Sequence, residues 1–342
     1  MRSVIGTGVS FVLAVLGASL HARAGLDTQY SGGIQQRINS TTVYSESYNL
    51  FPAGGQGSVD HIQNSDPEQP DLPYYVMRAT SSAGSSYVSA STYAEIVKSQ
   101  AGFGGFAYSV GGLAYGGTYW DDFVIQGPPG GIVTRLGARV TGRVSLGTSA
   151  MLTGDCSVQV VIWVNDSIRG SGTYAEHTDG GNRTINESGG LIGFDGDATL
   201  LTNTAFLPTN TPFRVGLQLT VSSSIGLRYE NSGSGSSNMD FLSTLRLVTN
   251  QPLFDLPPGY TVTSAQAHVI DNYFINPCPA DFNHDSLVDD ADFTSFVTGY
   301  NILDCADSAM HPGCPADLNF DALVDDADFV IFLNAYSELV CP

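Results

Sequence analysis

Ser157-Val158-Gln159-Val160-Val161-Ile162-Trp163-Val164-Asn165 alternates, with Val158, Val160, Ile162 and Val164 on one parity and Gln159 on the other. A period of two belongs to an extended strand, whose successive side chains point to opposite faces of a sheet. Asn165-Asp166 follows at once and supplies turn chemistry. Leu136, Ala138, Val140 and Gly142 form a second alternating set, and Phe213, Val215, Leu217, Leu219 and Val221 a third.

Between such sets, Asp179-Gly180-Gly181-Asn182 and Ser222-Ser223-Ser224 read as turns. Asp66 to Pro73 and Gln126 to Gly131 read as loops, because proline removes a ladder donor and fixes φ. Ser232 to Ser237 reads as a hairpin tip or short spacer, and Thr92 to Gln100 as the one short helical interruption. A sheet that is hydrophobic on one face must bury it against another. Gly25 to Ile275, about 250 residues, therefore reads as one mainly β domain of β-sandwich or jelly-roll type.

The C-terminal region has a different grammar. Asp281-Phe282-Asn283-His284-Asp285-Ser286-Leu287-Val288-Asp289-Asp290-Ala291-Asp292 returns as Asp317-Leu318-Asn319-Phe320-Asp321-Ala322-Leu323-Val324-Asp325-Asp326-Ala327-Asp328. Oxygen-bearing side chains fall at loop positions 1, 3, 5, 9 and 12, with a backbone carbonyl available at position 7. That is the order in which an EF-hand-type loop wraps calcium. The candidate metal ligands are Asp281, Asn283, Asp285, Leu287, Asp289 and Asp292 for one ion. Asp317, Asn319, Asp321, Leu323, Asp325 and Asp328 serve a second. Crowded carboxylates repel unless a hard cation neutralises them, and hard cations prefer oxygen. Position 6, where glycine is the norm, is Ser286 in one copy and Ala322 in the other, and position 12 is the short Asp rather than Glu. A strained turn and a shorter reach predict weak affinity, suited to calcium-rich extracellular fluid.

A helical rhythm follows each loop: Phe293, Phe296, Val297, Tyr300 and Leu303, then Phe329, Phe332, Leu333, Tyr336 and Leu339. Residues 278–342 thereby resemble a type I dockerin, in which two loop-helix halves pair by a pseudo-twofold and bind a cohesin on another protein. Cys278 and Cys314 precede the loops while Cys305 and Cys341 follow the helices, which resembles the Cys-bracketed, GC-type subgroup. The resemblance implies two calcium ions and a cohesin-like partner. It also makes Asp290-Ala291 and Asp326-Ala327, at loop positions 10 and 11, partner-selecting residues. They differ from the Ser-Thr pair of the cellulosomal type, which argues against a cellulosomal partner.

Four cysteines allow three connectivities. A helix from about Asp290 to Leu303 is roughly 20 Å long, whereas bridged Cα atoms lie within about 7 Å, so Cys278 and Cys305 should not meet. Antiparallel helices would favour Cys278 with Cys341 and Cys305 with Cys314. Val330 and Ile331 make the second helix apolar all round where the first has Thr294-Ser295, so they are expected beneath the sandwich or a partner.

At the other end, Met1-Arg2, the apolar run Val4 to Leu20 and Ala22-Arg23-Ala24 read as a signal peptide over residues 1–24. No later stretch reaches the length of a membrane span, so a secreted or cell-surface protein without an integral membrane segment is expected. Asn276-Pro277 is a short linker between residues 25–275 and 278–342. Net charge is -20, with the C-terminal module lacking any Lys or Arg. No basic stripe is left to read nucleic acid.

Asp240-Phe241-Leu242-Ser243-Thr244-Leu245 and Leu256-Pro257-Pro258-Gly259-Tyr260 resemble the closing strands of exported bacterial β-sandwiches that carry C-terminal sorting modules. That resemblance implies surface location and says nothing of chemistry. No catalytic constellation emerges: His61, His177 and His268 stand alone and read as exposed loop histidines. Cys156 alternates onto an apolar strand face and reads as a buried small hydrophobe. In Trp120-Asp121-Asp122, neighbouring strand residues should face opposite ways. The two carboxylates could not then share a glycosidic bond, and Asp122 is expected exposed at a strand end. Tyr74, Tyr75, Tyr108, Tyr115 and Tyr119 suit either a half-buried sheet or sugar stacking.

Two functional expectations follow from these readings and resemblances. One is a non-catalytic surface or matrix protein docked through calcium to a cohesin-like partner. The other is a carbohydrate-binding module or polysaccharide-acting enzyme delivered to an extracellular complex.

Overall fold

The computed structural model describes residues 27–38, 41–50, 55–63, 73–84, 87–98, 108–149, 152–179, 182–227, 232–249, 251–275, 278–282, 288–307, 309–311, 314–319 and 321–338. The signal-peptide expectation, the 276–277 linker, nearly all of the Asp66 to Pro73 loop, and Cys341 lie outside these residues.

The chain is mainly β with a short helical segment at its C-terminal end. It begins with β1 (Asp27–Ile38), β2 (Thr41–Leu50), β3 (Gly55–Gln63), β4 (Tyr74–Ala83), β5 (Tyr87–Lys98) and β6 (Tyr108–Gln126). There follow β7 (Gly131–Thr134), β8 (Gly137–Thr141), β9 (Arg143–Thr148), β10 (Leu152–Val164), β11 (Ser167–Asp179) and β12 (Asn182–Gly189). Then come β13 (Asp197–Leu201), β14 (Ala205–Pro208), β15 (Phe213–Leu227), β16 (Gly233–Leu247), β17 (Thr261–Thr263), β18 (Val269–Ile270) and β19 (Tyr273–Phe274). The helices are α1 (Asp290–Tyr300) and α2 (Asp326–Glu338).

The larger sheet runs β12-β11-β10-β15-β6-β1-β2 with β17 on the far end of β6, and the smaller runs β13-β8-β16-β5-β4-β3 with β9 beside β16. The ladders within both sheets are antiparallel. Their inner faces share one core. Val158, Val160 and Ile162 of β10 and Leu217, Leu219 and Val221 of β15 meet Val88, Ala90 and Ile96 of β5 with Phe241 and Leu245 of β16. Burying side chains of this size stabilises by about 1.5–3 kcal/mol each, which is what turns alternation into a sandwich-like stack.

Three local expectations are overturned by that same alternation. Thr92 to Lys98 is strand rather than helix: Thr92, Ala94, Ile96 and Lys98 are buried on one face, and sheet packing overrides the helical propensity of Ala-Glu-Ile. Ser222 to Ser224 continues β15 rather than turning, since Ser223 takes the inward register between Val221 and Ile225. Gly233 to Ser237 is likewise strand, paired with β5 throughout and with β9 from Gly235, and the buried Ser237 hydroxyl donates to the Asp155 carbonyl at 3.0 Å. The Gly127 to Gly130 loop is as expected, and Pro257-Pro258-Gly259-Tyr260 closes a turn in which Gly259 has φ +90° and Tyr260 N–H donates to the Pro257 carbonyl at 3.3 Å.

Opposite Arg214, β6 carries two residues where β15 carries one, so a β-bulge separates Trp120 from Phe123. The bulge flips the strand's parity and sends both aromatic rings into the core. Asp121 and Asp122 are therefore both free to reach the same neighbour, contrary to simple alternation. Asp121 accepts from Gln266 Nε2 at 2.6 Å, and Asp122 accepts from the Gln266 amide at 2.9 Å and from the Ser264 hydroxyl. Asp122 is half-buried rather than exposed, and the pair serves to fasten residues 264–267 to β6.

Candidate functional site: the paired C-terminal loops

A second, separate core holds the C-terminal module together, with Ala280, Val288, Phe296, Met310, Ala316, Leu318, Val324 and Phe332 at its centre. The i, i+3, i+4 rhythm places Phe296 of α1 against Phe332 of α2, their ring centroids 5.0 Å apart. Each helix starts where an aspartate caps it. Asp289 accepts from the Ala291 amide at 2.8 Å in a capping box with Asp292, and Asp325 accepts from the Ala327 amide at 2.8 Å.

Tyr300, at the end of α1, donates to Asp326 at the start of α2 at 2.5 Å, and Tyr336, at the end of α2, donates to Asp290 at the start of α1 at 2.6 Å. The helices thus run antiparallel about a pseudo-twofold, with the end of each beside the other's loop. These bonds hold both phenols above their usual pKa range, because ionising either would set two negative charges together. The repeat contained this signal, since Asp-x9-Tyr occurs in both copies, but sequence reasoning did not use it.

The second loop is described except at Phe320. Both Asp317 oxygens accept loop amides, from Asp321 at 3.1 Å and Ala322 at 3.0 Å, and Asn319 donates to Asp321 at 3.0 Å. Asp328 is 0 % exposed and accepts from the amides of Leu318, Asn319 and Asp325 at 2.7, 2.9 and 2.9 Å. Ala322 has φ +72°, the left-handed conformation that favours glycine, and its carbonyl accepts from the Cys305 amide at 3.2 Å. Leu323 faces Asp304 in an isolated bridge. In the first loop, Asp292 is also fully buried and accepts from the amides of Phe282 and Asp289, whereas Asn283, Asp285 and Leu287 lie outside the described residues. Asp281 is half-buried at its head.

Cys305 and Cys314 are joined, with Cα atoms 5.4 Å apart. Cys278 is also disulfide-bonded, and its expected partner Cys341 lies outside the described residues. Cys305 Sγ stands 3.6 Å from Asp317 Oδ2, a contact without a hydrogen bond because a disulfide sulfur carries no proton. Cys305, Cys314 and Asp317 cluster as a metal site could, but a closed disulfide offers no thiolate.

The residues expected to meet a partner fall into two groups. Asp290, Ala291, Asp326 and Ala327 are exposed at the helix starts, the two aspartates already bonded to tyrosine. Ile331 packs on the module's own core, which leaves Val330, 57 % exposed, beside exposed Leu333. The equivalent Thr294 and Ser295 hydroxyls are used within α1, donating to the carbonyls of Asp290 and Ala291. Against the β domain the module borders a cleft of about 840 Å³, where Arg143 donates to the Met310 carbonyl at 3.4 Å.

In the β domain Cys156 is free and buried, and burial above all, with nearby Glu176, pushes its thiol up to about 12. Two histidines lie on strands rather than loops. His61 of β3 stacks on Tyr44 with centroids 3.9 Å apart, and His177 of β11 sits 2.7 Å from Asp155 through Nδ1. His268 occupies a turn at φ +51°, and burial pulls its pKa down. Tyr75 is buried and donates to Gln36, and Tyr108 and Tyr119 are buried too, so only Tyr74 and Tyr115 of the five are half-buried. No helix among the described residues is long and apolar enough to cross a membrane. Comparison of the chain with family models, with curated proteins and with solved structures returned no match.

Proposed function

We propose that residues 278–342 form a calcium-binding docking module of the Cys-bracketed dockerin type, which attaches the β domain to a cohesin-like partner outside the cell. The observation that carries the reading is the second loop. Its sequence puts only oxygen-bearing side chains at positions 1, 3, 5, 9 and 12, and the chain makes a left-handed turn at position 6. The donor set fits a hard cation and not a soft one. Each carboxylate offers about four lone-pair sites, so the amide bonds of Asp317 and Asp328 leave capacity for an ion. The module has no Lys or Arg of its own to offset its crowded carboxylates.

In this reading Asp317, Asn319, Asp321, Leu323, Asp325 and Asp328 hold one ion and the matching residues of the first loop another. Calcium neutralises the loops and adds about 2.7 kcal/mol of stability per site when a hundredfold above its dissociation constant. The reciprocal Tyr-Asp bonds leave Ala291, Ala327 and Val330 open at the helix starts for the partner. An N-terminal segment, residues 1–24, directs export and is then removed.

Calorimetry on the full chain tests the reading. Two calcium ions should bind, one lost in Asp281→Ala and one in Asp317→Ala. No uptake at millimolar calcium overturns it.

A further inference from the structure

We propose that the outer face of the larger sheet carries a binding groove for a neutral polysaccharide chain, running across β15, β10 and β11. This goes beyond the docking reading and does not rest on it, because the groove lies on strands whose inner faces build the β-domain core and not that of the C-terminal module.

Register builds the groove. One row across the outer face is Ser224, Asp155 and His177, the next is Ser222, Ser157, Ala175 and Asn186, and the third is Thr220, Gln159 and Thr173. The middle row begins with short side chains, so the face sinks between its longer neighbours into a groove of about 380 Å³ walled on one side by Leu113. Concavities of this size are where small ligands and chain segments bind.

Its chemistry selects the ligand. No Lys or Arg lines the groove, which disfavours phosphate, sulfate and uronate groups. Its outward carboxylate, Asp155, is already engaged by His177 at 2.7 Å and Ser224 at 3.4 Å, and the buried Glu176 side chain lies on the inward parity and pairs with Arg183 at 2.6 Å, so a cationic ligand finds no open carboxylate. The side chains of Gln159, Asn186 and Thr220 make no hydrogen bond among the described residues. An amide both donates and accepts, as a sugar hydroxyl does, so these three unspent groups match a polyhydroxylated neutral chain. Tyr115 flanks Thr220 on the same outer face, its hydroxyl end over Gly117, where a Cβ would stand only 2.9 Å away. A ring laid flat beside a row of amides and hydroxyls is a platform for the C–H face of a sugar.

Affinity electrophoresis of the full chain tests this, in gels containing soluble mixed-linkage β-glucan, xyloglucan, galactomannan or, as the anionic comparison, alginate, each with and without chelator. We expect retardation in at least one neutral gel, unchanged by chelator, and none in alginate. Gln159→Ala with Asn186→Ala should weaken binding about tenfold, from two lost hydrogen bonds. Ala175→Trp should fill the groove and abolish it. Circular dichroism melts verify that each variant folds, and the exposed Gln159/Asn186 pair keeps the test alive if Ala175→Trp does not. No retardation in any neutral gel, retardation by alginate alone, or unaltered binding by the folded variants overturns the proposal. Loss of calcium binding with retention of retardation separates this site from the docking module.

Discussion

Asp328→Ala removes a side chain that ties both ends of the second loop to α2. Its carboxylate takes three backbone N–H groups, those of Leu318, Asn319 and Asp325, at 2.7, 2.9 and 2.9 Å, and is itself fully buried. Bonds to a charged acceptor contribute about 1.5–3 kcal/mol each, and a buried donor left unmade costs a similar amount. The Leu318 amide belongs to a buried residue and takes the full cost, whereas Asn319 and Asp325 are partly open and water can substitute. The loss should therefore be about 3–5 kcal/mol. Hydrogen exchange by mass spectrometry on the full chain reads it, in chelator so that the effect belongs to the fold and not to an ion. Because about 1.36 kcal/mol is tenfold, amides of α2 should exchange roughly two to four orders of magnitude faster, while β10 and β15 stay as protected as before. Exchange in α2 within about threefold of wild type would mean that these amides find other acceptors at no cost.

Three further outcomes are expected. Ala322→Val should lower the module's stability by about 1–2 kcal/mol in denaturant titration, since a β-branched residue at φ +72° is a steric outlier, and Ala322→Gly should not; equal midpoints for Val and Ala would show that the turn is not left-handed. Replacing Cys305 and Cys314 with serine should cost about 2.5 kcal/mol, the chain entropy released by opening a loop of nine residues' separation, and an unchanged midpoint would argue that the bridge constrains nothing. With its pKa raised to about 12, Cys156 stays a protonated thiol at every ordinary pH, so iodoacetamide at pH 8 should label it only after unfolding; rapid native labelling would contradict its burial.

The middles of β10 and β15 were legible because the inward residues from Val158 to Val164 and from Val215 to Val221 are all Val, Leu or Ile, in the period of two that belongs to a strand. Elsewhere the sequence misled where small polar residues filled inward positions. Thr92, Ser223 and Ser237 are buried by the sheets around them, and no local signal distinguishes a serine under a neighbouring sheet from a serine in a turn. The bulge at Asp121-Asp122 was invisible for a related reason, since it is defined by the count of residues on β15 opposite. In the C-terminal module the resemblance implied two loop-helix halves paired about an axis, and antiparallel helices were the condition that favoured the Cys305–Cys314 bridge; both are found, since two similar halves meeting in this way set the end of each helix beside the other's loop. The Asp155–His177 pair could not be anticipated: it joins residues on adjacent strands whose register only the fold supplies.

The carboxylate clasp of Asp121 and Asp122 on residues 264–267 has a mechanical consequence. A tension applied to the C-terminal module travels back along the chain and meets the β domain first at residues 251–275. That stretch is laid along β6 through β17, and β6 is itself flanked by β1 and β15 at the centre of the larger sheet. The pull is therefore delivered to the middle of the layer rather than to a peelable edge such as β12. Neutralising Asp121 and Asp122 would move the point of load to a weaker seam, so that the tail would detach from the sheet well before the sheet itself gave way.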